Sequence, residues 1–144
     1  MARVMGVDVG THRIGVAFSD VGGRVATPHS TIEVDSIAEG AERVAEVGHD
    51  RETVTVVVGW PVRMDGSEGR MVEHVEQFLE AFHEECQRLD WEIDIERWDE
   101  RLSSTEAESV LIGADLSRER RRGIVDRVAA SRILQSYLDS QEDD

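Results

Sequence analysis

The stretch RVMGVDVGTHRIGVAFS, which runs from Arg3 to Ser19, decides how the fold begins. Its two halves, Arg3 to Val9 and Arg13 to Ser19, are short and rich in Val and Ile. They are separated by Gly10-Thr11-His12, and this arrangement is typical of two strands joined in a β-hairpin. Asp8 is therefore expected beside the hairpin turn, at the end of the first strand.

Three further strands are predicted downstream. The segment from Arg24 to Glu33 has strand composition, but Pro28 cannot donate to a ladder, so we expect a bent or edge strand. Thr53 to Gly59 is a nearly continuous β-branched run, as in a buried parallel strand. From Trp91 to Trp98 apolar residues alternate with acids, which predicts a fifth strand.

Apolar residues at helical spacing predict helices at 35–47 and 71–89 and a final helix ending near Leu138, with a further helix capped at Ser103 or Thr105. Three strands followed by the order α-β-α-β-α-α predict an α/β fold. Its mixed five-stranded sheet should carry helices on both faces, which is the ribonuclease H-like order rather than Rossmann alternation. A chain of 144 residues suits a single domain spanning 1–144.

The composition excludes several functional classes. The chain has 31 acids against 16 basic residues, a net charge of −15, and every basic residue is arginine. Without lysine there is no Walker P-loop, and no HExxH or GxSxG motif is present. No apolar run reaches the ~18 residues that would span a membrane. The sole cysteine, Cys86, falls on an apolar helix face, which favours a reducing cytoplasm.

The acidic surface has two open explanations. One is a codon bias that favours arginine together with a well-solvated surface. The other is a salt-rich cytoplasm, in which the repulsion between carboxylates is screened.

Three carboxylates stand where a site could form: Asp8 after Val7 at the end of the first strand, Glu100 after the fifth strand, and Asp126 in the last helix. Oxygen ligands suit Mg²⁺ and Mn²⁺, which can activate water and clamp a phosphodiester. The neighbours of Asp126, Val125 and Val128, are expected to face the core, so its charge requires a partner or a cation.

Ion pairing is the structural alternative for Asp126, with Arg122 or Arg127 as its partner. Between residues 118 and 132, six arginines stand against two acids. These arginines are either surface residues paired with nearby acids or phosphate contacts beside the metal, because the guanidinium fork matches phosphate oxygens. The candidate nucleic-acid contacts are Arg13, Arg101, Arg118, Arg120, Arg121 and Arg122.

Four motifs carry a family resemblance: GVDVGTHRIGVA at 6–17, GWPVRMDGSE at 59–68, DERLSSTEA at 99–107 and DRVAA at 126–130. Together they resemble the YqgF (RuvX) family of Holliday junction resolvases, now regarded as pre-16S rRNA nucleases. Trp60 and Arg63 stand where Leu and Asn are more usual, which affects loop contacts rather than the acids. The acidic set of the family maps onto Asp8, Glu100 and Asp126, and Glu100 is preferred to its neighbour Asp99 on the family pattern.

The resemblance implies a bacterial cytoplasmic nuclease, dependent on Mg²⁺ or Mn²⁺, that matures the 5′ end of 16S rRNA. Its expected partner is structured RNA or branched DNA, with no membrane involved. It would act as a monomer or a homodimer. Three alternatives stay open: a resolvase of four-way DNA junctions, a non-catalytic rRNA-binding assembly factor, and an actin- or sugar-kinase-like ATP binder. The last ordinarily needs two domains, which 144 residues do not supply.

Overall fold

A five-stranded mixed sheet forms the centre of the molecule. The computed structural model describes residues 3–61, 65, 68–100 and 118–142, apart from the side chains of 118–123 and 142. Its elements in chain order are β1 (Arg3–Val9), β2 (Arg13–Ser19), β3 (Ala26–Glu33), α1 (Ile37–Asp50), β4 (Thr53–Trp60), α2 (Arg70–Arg88), β5 (Asp94–Asp99) and α3 (Arg118–Glu142). The strand order is β3-β2-β1-β4-β5, with the first three strands antiparallel and β1, β4 and β5 parallel. The predicted α/β architecture is confirmed.

The leading hairpin forms as predicted. The Gly10 amide donates to the Arg13 carbonyl oxygen at 2.9 Å and closes the turn. The register places Asp8 directly opposite Gly15. Asp8 is thus fixed at the carboxyl end of β1, between the antiparallel partner β2 and the parallel partner β4.

Strand β3 lies at the sheet edge, as Pro28 predicts. Its pairing with β2 shifts where Val16 pairs with Ser30 and Ala17 pairs with Pro28, so His29 is skipped. The missing amide of Pro28 is tolerated at this irregularity because an edge strand has only one partner.

Helices α1 and α2 cover one face of the sheet. The strands contribute Met5, Val7 and Val9 from β1 and Val56 and Val58 from β4, all buried. Phenylalanines of α2 complete this core, with two rings stacked at 5.7 Å between centroids. The side chain of Ser36 accepts a hydrogen bond from the Glu39 amide at 3.1 Å and caps the start of α1.

Helix α3 covers the opposite face and approaches the sheet closely. A Cβ added to Gly6 would lie 2.7 Å from Leu134 Cβ and 2.8 Å from the Ala130 carbonyl oxygen. The buried stripe of α3 consists of Ala130, Ile133, Leu134 and Leu138. The expectation that Val125 faces the core is wrong, because its side chain is 42% exposed.

Strand β5 begins at Asp94, three residues later than the alternating pattern predicts. Trp91 is instead used for packing: its indole N–H donates to the Thr53 carbonyl oxygen at 2.9 Å, and its ring meets Phe82 edge to face. The helix predicted at Ser103 or Thr105 lies outside the described residues. No helix in the described part of the chain is both long and apolar enough to cross a membrane.

Candidate active site

Strand alternation directs Asp8 towards α3. Successive side chains of a strand point to opposite faces, and Met5, Val7 and Val9 lie in the α1/α2 core. Asp8 therefore shares the other face with Gly6, which packs against α3. A partly buried carboxyl group is thereby held at the carboxyl end of a parallel strand, where open α/β sheets bind ligands.

Glu100 reaches this position by crossing a glycine. It follows β5, and β4 lies between β5 and β1. A Cβ on Gly59 of β4 would lie 2.6 Å from Glu100 Oε1 and 2.7 Å from Ile133 Cδ1 of α3. Because Gly59 has no side chain, the Glu100 carboxyl group can extend over β4 to form a side-chain hydrogen bond with Asp8.

The two carboxyl groups are hydrogen-bonded to each other, and the pKa values of both are raised. Burial raises the pKa of Asp8 well above its ordinary value, and the charge of Glu100, its hydrogen bond and the charge of Asp126 raise it further. The pKa of Glu100 is also raised, mainly by burial; the bond from Asp8 lowers it in part, and the charge of Asp99 raises it. The larger rise is in the pKa of Asp8, and Glu100 accepts the hydrogen bond between them.

Asp126 lies near this pair but has its own partner. Arg13 Nε donates to Asp126 Oδ2 at 2.7 Å. Asp126 is thus ion-paired, as the structural alternative predicted, but its partner is Arg13 rather than Arg127. The side chain of Arg122, the other expected partner, is not described. The negative charge of Asp126 still acts on Asp8, since it contributes to the raised pKa of Asp8.

The main chain of Asp126 is fixed by Gly15. A Cβ on Gly15 would overlap the Asp126 carbonyl oxygen and lie 3.0 Å from the Arg127 amide nitrogen. Since Gly15 pairs with Asp8 in the hairpin, the same glycine that neighbours Asp8 allows α3 to bring Asp126 close.

The donor chemistry of the acids fits a hard divalent cation. Their oxygens are the ligands that Mg²⁺ and Mn²⁺ prefer, and a cation would offset the repulsion that raises the pKa of Asp8. The described side chains nevertheless contain no ready group of three metal-binding residues. The structure brings Asp8 and Glu100 together and holds Asp126 beside them on Arg13.

Of the candidate nucleic-acid contacts, Arg13 is the one whose side chain is described at the site. Arg101 lies outside the described residues. The other candidates, Arg118, Arg120, Arg121 and Arg122, occupy the first turns of α3, and their side chains are not described. Their role as phosphate contacts stays a prediction.

Two residues that sequence reasoning missed, Gly15 and Gly59, let the acids meet. A signal was present in the alternation of the strands: Gly6 and Asp8 on β1, Gly15 on β2 and Gly59 on β4 all fall on the α3 face. His74 of α2 contacts the hairpin turn from the other face of the sheet, with its Nε2 3.1 Å from the Gly10 carbonyl oxygen.

Two solved resolvases have the same fold. The chain superposes on RuvC of T. thermophilus, solved in complex with a Holliday junction substrate, with a TM-score of 0.61 and 14% identity over 98% of this chain and 97% of that one. The fowlpox virus resolvase in complex with Holliday junction DNA matches with a TM-score of 0.51 and 11% identity over 96% and 98% of the two chains. These likenesses establish the ribonuclease H-like fold.

Sequence comparison gives the family. The model of the family described as "RuvX: Holliday junction resolvase" matches residues 2–140. A protein of Endomicrobium trichonymphae is 40% identical over the whole of both chains, and one of Geobacillus thermodenitrificans is 42% identical over 96% of this chain and 99% of its own. Both carry the provisional name pre-16S rRNA nuclease.

Fold and relatives together define the class of the protein, a nuclease built on a ribonuclease H-like domain. Within that class, the chain belongs to the RuvX family.

Proposed function

We propose that this chain is a metal-dependent endonuclease that hydrolyses phosphodiester bonds at the 5′ end of pre-16S rRNA, in the cytoplasm. The observation that carries the proposal is the side-chain hydrogen bond between the carboxyl groups of Asp8 and Glu100 at the carboxyl ends of parallel strands. Two carboxyl groups held this close are costly unless something positive joins them. A site built at such expense is typical of function rather than of stability.

The acids Asp8, Glu100 and Asp126 would hold Mg²⁺ or Mn²⁺. When bound, such a cation neutralises phosphate charge and lowers the pKa of a water molecule. Asp8 and Glu100 would serve as ligands in their carboxylate forms, giving up any proton held between them. Asp126 joins them from α3, and Arg13 binds a backbone phosphate through its guanidinium fork.

The charge distribution favours recognition of backbone and shape. With a net charge of −15, the chain as a whole repels nucleic acid, so binding must occur at a local arginine-rich surface. Aromatic residues make up 5% of the chain, which leaves few side chains for stacking on bases. A structured RNA whose phosphates follow a fixed path suits such a surface.

Cleavage by the purified chain tests the substrate. We expect a precursor 16S rRNA fragment to be cut in Mn²⁺ or Mg²⁺, and a four-way DNA junction of equal length to be left intact. Preferential, symmetric cutting of the junction would instead identify a resolvase, which a homodimer would serve better than a monomer. Sizing the chain with and without each substrate distinguishes these states. Normal 16S maturation in cells carrying Asp8→Ala would identify a non-catalytic assembly factor.

The raised pKa of Asp8 predicts how metal and pH affect stability. The folded chain retains a proton that the unfolded chain loses above its ordinary pKa of 3.8. The contribution of Asp8 to the free energy of unfolding is therefore full below pH 3.8 and falls as the pH rises towards the pKa of Asp8 in the folded chain. A cation that binds in place of the proton should restore this lost stabilisation. We expect Mn²⁺ at 100 times its Kd to raise the free energy of unfolding by about 2.7 kcal/mol.

Thermal unfolding at pH 5 and pH 8, with Mn²⁺ or with EDTA, measures this effect. The Mn²⁺ shift should be larger at pH 8, because the metal competes with fewer protons there. Asp8→Asn should remove most of the shift at both pH values. A Mn²⁺ shift that is equal in the variant and the unchanged chain would place the metal elsewhere.

A further inference from the structure

The ion pair between Arg13 and Asp126 joins two residues with different proposed roles. Arg13 is a candidate phosphate contact and Asp126 a candidate metal ligand, yet here each binds the other, with Nε and Oδ2 2.7 Å apart. The described side chains include no set of three that could hold a metal as they stand. The proposed third ligand, Asp126, lies beside the site, but its carboxylate is paired with Arg13.

Only the side chain of Asp126 would need to move. Its main chain is held against Gly15, the residue paired with Asp8. Its charge already acts on the Asp8 carboxyl group. A rotation of the Asp126 side chain away from Arg13 would therefore leave its main chain, and the helix, in place.

Backbone phosphate can compete for Arg13. The Arg13 and Asp126 side chains are 31% and 22% exposed, so a ligand can reach the guanidinium without unfolding any element. A partly exposed ion pair is worth at most about 1 kcal/mol. A phosphate offers Arg13 two oxygens at the spacing of its fork, whereas Asp126 is reached here through Nε.

We propose that Arg13 is a positioning residue that holds Asp126 away from the metal ligands until a backbone phosphate replaces it. This inference rests on the proposed metal-dependent function and adds a regulation to it. Phosphate binding to Arg13 frees Asp126, and a metal that engages Asp126 frees Arg13. Each ligand therefore strengthens binding of the other, and by linkage the two effects are equal. The full metal site assembles on the substrate.

Calorimetric titration of Mn²⁺ into the full chain without nucleic acid tests whether Arg13 restrains Asp126 from binding the metal. Arg13→Gln should bind Mn²⁺ about fivefold more tightly than the unchanged chain, the upper range for a partly exposed ion pair. Arg127→Gln removes the same charge one residue from Asp126 and should change the affinity less than about twofold.

The double variant separates pairing from general electrostatics. In an Asp126→Asn background, Arg13→Gln should leave Mn²⁺ affinity unchanged, because Asp126 is no longer there to be released. An equal gain in both backgrounds would overturn the inference, since the effect would then come from charge alone. If the unchanged chain and Arg13→Gln bind Mn²⁺ equally well, this inference fails while the metal site stands. If neither binds Mn²⁺, the proposed function fails with it.

Binding of a labelled precursor 16S rRNA hairpin in EDTA tests whether Asp126 restrains Arg13 from binding a backbone phosphate. Asp126→Asn should bind the hairpin about fivefold more tightly than the unchanged chain, because Arg13 is free to meet phosphate. This gain should disappear when Arg13→Gln is added. A gain that persists without Arg13 would contradict the exchange of partners.

Discussion

Asp8→Asn should abolish cleavage while leaving the chain folded. Changes to groups that merely support a metal ligand typically cost about 10–100-fold in activity or metal affinity, and loss of a ligand itself should exceed that range. The fold should tolerate the change because an asparagine amide can donate to Glu100 in the hydrogen bond that Asp8 now makes with it. We also expect higher stability without metal at neutral pH, because asparagine carries no charge for burial and the neighbouring acids to disfavour.

Initial rates on the precursor rRNA fragment, together with thermal unfolding in EDTA, measure both effects. Asp99→Asn is the matched control. Asp99 has the strand parity of Ile95, which packs in the α1/α2 core, and so points away from Asp8. We expect its rate to stay within about threefold of the unchanged chain, because Asp99 affects the site through its charge on Glu100 rather than as a ligand. Comparable losses in the two variants would show that Glu100 was wrongly preferred to Asp99.

Gly15→Ala should cause the largest loss of stability among single methyl additions. The new Cβ would overlap the Asp126 carbonyl oxygen, which is main chain and cannot rotate away as a flexible side chain would. Helix α3 must move instead. We expect a cost of about 3 kcal/mol, at the top of the usual range for overpacking, and a Tm lower by about 10 °C. Activity should fall as well, because Asp126 moves with the helix.

Gly22→Ala is the control for this substitution. A Cβ at Gly22 would meet only Asp20 Oδ2, at 3.4 Å, which is ordinary contact. The free energy of unfolding should change by no more than about 0.5 kcal/mol. Denaturant unfolding of the two variants side by side decides the matter, and equal stabilities would contradict the close packing of α3 on β2.

Elements with strong local patterns were predictable from sequence. The leading hairpin and the long α2 carry patterns typical of one secondary structure, and β4 is a short β-branched run that ends in glycine. Boundaries were less predictable where a side chain serves tertiary packing. Trp91 fits an alternating strand pattern, yet its indole N–H is used on the Thr53 carbonyl oxygen, so β5 begins later.

The site was predictable as a set of acids but not as an arrangement. Asp8 lies at the end of β1 and Glu100 directly follows β5, the two parallel neighbours of β4, and that topology brings them together. The partner of Asp126 lies 113 residues away in sequence, beyond any local pattern. The inner stripe of α3 was also misjudged at Val125, because packing on glycines of the sheet, rather than hydrophobicity alone, sets how that helix is rotated.

A crystal soaked in Mn²⁺, with the metal located by its anomalous scattering, tests the central claim most directly. The account predicts density in contact with the carboxylates of both Asp8 and Glu100, with Asp126 turned towards the metal once a nucleic acid occupies Arg13. Metal density touching Asp8 but neither Glu100 nor Asp126 would contradict the site.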